Sequence, residues 1–342
     1  MSVFPQVLGR YIMNITDYTY TMHDYPTPVE RTVHTVPFIN KMIEQGMAAD
    51  MILVTEALQE RQLSKMAEQI ASDDNIKVVL LAGPSSSGKT SSSKRLCIQL
   101  LASMKHPVAL SMDNWFLNRD QTPLDEFGKP DFETIYALNL KQFNEDISSL
   151  INGEEVALPT FNFKEGRQEY HGETLRLTDD MILVIEGIHA LNPLMSEQIE
   201  EDRKFRIYAA PQSPISLDGE NWIPTWVNRL LRRINRDYQT RGLSAQQTLA
   251  IWPSVRRGEQ KWIEPFIGEA DAVFDTSMLY ELAALSTKAI EVLSEVPHDS
   301  EEYKYAEQLI DFLRMLKPIG SEQIPINSLM REFIGGSIFD VV

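Results

Sequence analysis

Cysteine is almost absent: Cys97 is the sole one in 342 residues. No intrachain disulfide can form, a zinc site built on cysteines is disfavoured, and a reducing compartment fits. Positive charge is also scarce. Thirty-two Lys and Arg face 49 Asp and Glu, for a formal net charge of −17 and a pI near 4.8. Such a surface repels nucleic acid and anionic membrane, so neither is expected as a partner, and any anionic ligand needs a local cationic patch. No window approaches eighteen consecutive apolar residues, which disfavours a membrane span. The opening MSVFPQVLGRYIMN lacks the basic region and long apolar core of a signal peptide. The expectation is a soluble cytoplasmic protein. An NKxD base reader is missing too, which counts against a GTPase. Neither repeats nor low-complexity tracts occur.

What is present suits a globular chain with ample core: 43% hydrophobic and 24% charged residues. Residues 1–36 are aromatic and irregular. Leu58, Leu63, Met66, Ala67 and Ile70 then give an apolar stripe at helical spacing. From residue 77, short apolar runs alternate with helical patterns: Val78–Ala82, Val108–Met112, Met181–Ile185, Phe205–Ala209 and Ala272–Phe274. Wholly apolar short strands separated by helices predict an α/β fold, a parallel sheet sandwiched by helices. The chain beyond Phe274 reads as helical to about Leu316. Three segments are expected: an N-terminal extension over 1–50, a central domain over 51–295 and a C-terminal extension over 296–342.

Gly83-Pro-Ser-Ser-Ser-Gly-Lys-Thr90 fits GxxxxGK[ST] between a strand and a helix. Gly83 and Gly88 permit the turn, and the amides along Ser85, Ser86 and Ser87 can face phosphate oxygens. The helix N-terminus adds positive partial charge. Lys89 would reach the β- and γ-phosphates, and the Thr90 hydroxyl would ligate Mg²⁺. The following helix is expected to carry Cys97, Leu100, Leu101 and Met104 on one side.

Two acids end strands: Asp113 and Glu186. In an open parallel sheet the C-terminal strand ends line the ligand crevice, so both should face the loop. One could hold Mg²⁺, and the other could accept a proton from a hydroxyl. Arg229, Arg232, Arg233, Arg236 and Arg241 fall within thirteen residues. They read either as a solvated helix balanced by Asp237 or as a lid that closes over a nucleotide and neutralises the transferring group.

These residues carry a resemblance. The Arg232–Gly242 run, the phosphate loop, Ser-Met-Asp113-Asn-Trp-Phe and Ile-Glu186-Gly-Ile resemble the uridine kinase and phosphoribulokinase family. The chain also resembles bacterial uridine kinase-like proteins whose longer members carry an N-terminal region related to threonyl-tRNA synthetase. Further matching segments are Arg119-Asp-Gln-Thr-Pro, Phe161-Asn-Phe-Lys-Glu-Gly, Trp252-Pro-Ser-Val-Arg-Arg-Gly and Arg331-Glu-Phe-Ile-Gly-Gly. The resemblance implies a P-loop kinase using ATP and Mg²⁺ on a small-molecule hydroxyl, and self-association. It implies Asp113 as general base, Glu186 as organiser of Mg²⁺ and its water, and Arg232, Arg236 and Arg241 as lid residues, with Arg236 acting on the transferring group. Asp131 would bind ribose hydroxyls, and Phe161 and Phe163 would flank a base.

One departure concerns the acceptor. Uridine kinases carry a run like Tyr-Asp-Phe-x-x-His; here it is Phe161-Asn-Phe-Lys-Glu-Gly166. Lys164 and Arg167 follow instead, which would suit an anionic acceptor such as a sugar phosphate. Three readings thus stand: a uridine/cytidine kinase, a kinase of a phosphorylated sugar or other metabolite, and a non-catalytic nucleotide-binding regulatory module.

Overall fold

The computed structural model describes residues 34–340. The N-terminal aromatic stretch read from the sequence therefore lies almost wholly outside the described residues. In chain order the main elements are α1 (Val36–Glu44), α2 (Ala48–Ala71), β1 (Val78–Ala82), α3 (Lys89–Ala102), β2 (His106–Ser111) and α4 (Leu140–Ile151). A hairpin of β3 (Thr160–Asn162) and β4 (Arg167–Glu169) follows, then β5 (Met181–Glu186) and β6 (Lys204–Ala210). The chain continues through α5 (Thr225–Arg236), α6 (Ala245–Trp262), β7 (Ala272–Asp275), α7 (Glu281–Leu293), α8 (Tyr303–Leu313) and α9 (Arg331–Ile334).

Strands β7-β6-β1-β5-β2 form, in that order, a wholly parallel sheet. All five apolar runs are strands. The second begins at His106 rather than Val108 and stops at Ser111, because Met112 already opens a 3₁₀ turn, Met112–Trp115. Side chains alternate across the sheet. Val78, Leu80 and Ala82 pack with Trp115, Phe143 and Ile185, while Val79 and Leu81 pack with Leu63, Ile70 and Phe274. Burial on both faces is why the strand sequences are unbroken apolar runs. Each buried Val or Leu contributes about 1.5–3 kcal/mol, so the strand ends that carry the site are firmly held.

Two helical expectations need correction. In α2, Leu63, Met66, Ala67 and Ile70 are buried, but Leu58 is exposed. In α3 the core face is Leu96 and Leu100; Cys97 is half-buried, and Leu101 and Met104 face solvent. The small residues Ser91–Ser93 are buried instead, which sets the rotation of the helix against its neighbours.

A further core joins α1 and α2 to α5–α9, through residues such as Ile39, Ile52, Ile234, Tyr280, Leu313 and Phe333. The boundary expected after residue 50 falls inside α2. The C-terminal helices share this core with α5 and α7, and Asn40 bonds to Met315 O and Lys317 N. The expected extensions are thus parts of the packed body as far as they are described.

Candidate active site

The phosphate loop leaves β1 at Gly83 with no room for a side chain: a Cβ there would lie 2.0 Å from Ala209 O. Gly88 takes φ +89° and caps α3 from the left-handed region, a conformation open to glycine at little cost. Ser85, Ser86 and Ser87 lie between. The Ser86 and Ser87 hydroxyls are buried without a hydrogen-bond partner, as expected of donors arranged for a ligand. Lys89 Nζ rests 3.2 Å from Pro84 O. Desolvation pulls the Lys89 pKa down, while Glu186, Asp113 and Glu332 oppose this.

Both strand-end acids reach the loop. Asp113 sits in the 3₁₀ turn after β2, and Glu186 ends β5 in register with Ser111. Burial raises the Asp113 carboxyl above the ordinary carboxylate range, against the pull of Lys89, Arg241 and Arg236. Burial likewise raises Glu186, to about 7, with Lys89 lowering it and Asp113 adding to the rise. Glu186 Oε1 accepts from Ser111 Oγ at 3.0 Å and from Thr90 Oγ1 at 3.4 Å. Two neighbouring ligands of one octahedral Mg²⁺ stand about 3 Å apart, so the Thr90 hydroxyl and the Glu186 carboxylate fit that ion.

The arginine run is neither a solvated helix nor a free flap. Val227, Leu230, Leu231 and Ile234 anchor α5 in the helical core. The chain then passes into a π-helical turn, Asp237–Arg241, closed by Gly242 at φ +65°. Arg229 donates to Ser85 O at 3.0 Å and pairs with Glu259 at 2.9 Å. Arg233 reaches Ser85 Oγ at 2.8 Å. Arg232 corrects the expectation of a nucleotide-binding lid residue: it is 0% exposed and ion-paired with Glu281. It also donates to Thr276 O at 2.8 Å and Ser87 O at 3.3 Å, so it supports the loop from behind. Arg236 and Arg241 lie within electrostatic reach of Asp113. Both flank Asp237, at 2.7 and 3.7 Å, and both act on Asp113. Burial would raise Asp237, but Arg236, Arg233 and Arg241 hold it below its ordinary value.

The acceptor side differs more from expectation. Asp131 Oδ1 accepts the Glu133 amide at 3.0 Å and so serves a local turn. The acid that interacts with Arg233 and Lys89 is Glu133. Burial raises it to about 7, against Arg233 and Lys89 and with Glu259 and Asp131 adding to the rise. Phe161 packs between Phe116, at 5.6 Å, and Phe163, at 5.1 Å. Phe163 is 58% exposed, so its ring presents an open face. Arg167 is not a free clamp: its side chain is 61% exposed and lies 2.9 Å from Glu169. Lys164 is exposed as well. Gly166 has φ +66°, and a Cβ there would meet Arg119 at 2.8 Å, so the site of the family's histidine is closed to a side chain.

Three residues to which the sequence assigns no role interact electrostatically with Lys89: Glu133, Glu332 and His189. Glu133 lies two positions from Asp131, and neither spacing nor charge separates them. Glu332 stands in the Arg331–Gly336 segment that matched the family without a physical role. His189 is buried, and desolvation lowers it to about 4, so it is neutral at ordinary pH.

With this geometry described, the relatives are informative. The family model "Phosphoribulokinase / Uridine kinase family" matches residues 78–282, from β1 into α7. Uridine kinase of Macrococcus caseolyticus is 25% identical over 198 residues, 57% of this chain and 86% of that one. Uridine kinase of Staphylococcus haemolyticus is 23% identical over 201 residues, 58% and 87% of the two chains. Among solved structures, D-glycerate 3-kinase from Cryptococcus neoformans is 14% identical, with 66% of this chain and 89% of that one covered and a TM-score of 0.39. A phosphate loop at the end of a central parallel strand, two strand-end acids and a matched span of most of the sheet lead to one conclusion: the chain is a kinase of the phosphoribulokinase / uridine kinase family.

Proposed function

We propose that the chain transfers the γ-phosphoryl group of ATP to a primary hydroxyl, the 5′ hydroxyl of uridine or cytidine. The observation that carries this reading is the meeting of Lys89, Asp113 and Glu186 at one end of the sheet. An Asp113 carboxyl raised by desolvation suits proton acceptance from an alcohol, because a general base works best with a pKa drawn toward the working pH. Glu133 is the acid that would accept hydrogen bonds from a vicinal diol. Lys89, Arg236 and Arg241 would neutralise charge on the transferring group. Mg²⁺ at Thr90 and Glu186 would neutralise charge on the phosphates when bound.

The aromatic group Phe116–Phe161–Phe163 supports a flat base over a phosphorylated sugar, since stacking needs only a π-face. The pairing of Arg167 with Glu169 removes the clamp that a sugar phosphate would want.

The test is ADP release from Mg-ATP with uridine, cytidine, other nucleosides, ribulose 5-phosphate and pantothenate, with Lys89→Ala as blank. Release confined to pyrimidine nucleosides is the expected result. Release confined to a phosphorylated sugar would overturn the acceptor assignment. ATP binding with no release for any acceptor would favour a regulatory module.

A further inference from the structure

The C-terminal segment returns to the phosphate loop. Leu329 and Phe333 are fully buried. Leu329 lies so close to Gly88 that a Cβ on the glycine would fall 2.6 Å from Leu329 Cδ1. The Arg232 guanidinium stands over the Phe333 ring, 5.2 Å from its centre. Between these anchors, Glu332 Oε2 accepts from Ser91 Oγ at 2.7 Å and from Ser91 N at 3.2 Å.

Ser91 is the third residue of α3. Its amide belongs to the first helical turn, where N–H groups have no partner within the helix. Those amides, next to Lys89 and Thr90, are the donors that a helix N-terminus offers to phosphate. Here an anionic oxygen from the far end of the chain already takes one of them, together with the adjoining hydroxyl. The same carboxylate is close enough to act on both Lys89 and Glu186.

We propose that Glu332 is a built-in competitor of the donor nucleotide, a side chain that holds Ser91 until phosphate displaces it. The inference rests on reading the loop as the ATP site. A carboxylate and a phosphate oxygen are both anionic acceptors, so they cannot share the Ser91 donors at close range. Nucleotide binding therefore releases Glu332 and loosens the 328–334 segment. Glu332 lowers the affinity for ATP and is a determinant of the donor site outside the loop motif. A mere structural cap would have the opposite sign, since its loss would weaken the loop and its ligand together.

Glu332→Gln keeps the shape and an acceptor oxygen but removes the charge. Calorimetric titration with Mg-ATP should show binding tighter than wild type by on the order of tenfold. Binding that is unchanged within about twofold, or weaker, would overturn the proposal. Thermal unfolding without nucleotide verifies that the variant is folded. A second measurement needs no variant: hydrogen exchange of the wild-type chain, with and without Mg-ATP. Amides of residues 328–334 should lose protection when nucleotide binds, and unchanged or increased protection overturns the displacement. Lys89→Ala separates the two levels of inference. If wild-type binding depends on Lys89 but Glu332→Gln brings no gain, only the competition falls. If wild type shows no Lys89-dependent binding, the ATP-site reading falls as well.

Discussion

The donor half and the acceptor half of the site are built on different principles. Around the phosphate loop nearly everything is fixed: β1 is buried on both faces, and Arg229, Arg232 and Arg233 grip Ser85 and Ser87. The proposed acceptor half rests on a hairpin of two three-residue strands, an exposed Phe163 and an arginine paired with Glu169. Phosphate chemistry is the same for every kinase of this kind and tolerates a rigid cradle. On the proposed reading, acceptor choice would rest on short surface segments, where substitutions cost little stability.

The largest effect should come from the group that joins the two halves. Asp113→Asn is expected to lower kcat by on the order of 10³ while the Kd for ATP stays within about threefold. Steady-state kinetics beside calorimetric titration decides this, and an unaffected kcat would remove the base. Next is the donor half's rigidity. Arg232→Met leaves Glu281 buried without its partner and should destabilise the fold by about 3–5 kcal/mol in denaturant unfolding. A loss under about 1 kcal/mol would mean that the cradle is not held from behind.

Smaller effects separate positions within the acceptor half. Phe161→Ala should raise the KM for nucleoside by about 1–3 kcal/mol equivalent with kcat little changed, whereas Arg167→Ala should alter KM by less than about twofold. Equal effects at both would undo the preference for a stacked base. A further effect is in pH dependence. Glu133 titrates near 7 in the fold and near 4.5 in the unfolded chain, so between those values the fold binds a proton that the unfolded chain has lost. Its contribution to stability is therefore full below about 4.5 and disappears as pH rises through 7. Glu133→Gln should gain stability relative to wild type on going from pH 5 to pH 8. Comparing the two chains cancels His189, whose depressed pKa has the opposite sign. A parallel pH profile for both chains would place Glu133 in water.

The difference between the halves also governs how much could be read from sequence. Val78–Ala82 and the glycine–lysine pattern are local: strand, turn and helix follow each other, and the structure reproduces them. Asp113 and Glu186 were legible because parallel strands end at one edge. Arg232 was misread because charge composition does not show that Glu281, 49 residues later, waits in the core. Asp131 and Glu133 are acids of one loop, and only the tertiary fold sets Glu133 beside Arg233 and Lys89. Glu332 is 241 residues from Ser91, and such a pairing has no local signal.

The grip of α5 on the serine carbonyls has a thermodynamic consequence. A loop whose amides are already oriented gives up little conformational entropy when a ligand fills it. Nucleotide capture should then show a modest entropic penalty, with its free energy set by charge and hydrogen bonding. Acceptor capture should carry the larger ordering cost, because the β3–β4 hairpin and its exposed rings have freedom left to lose.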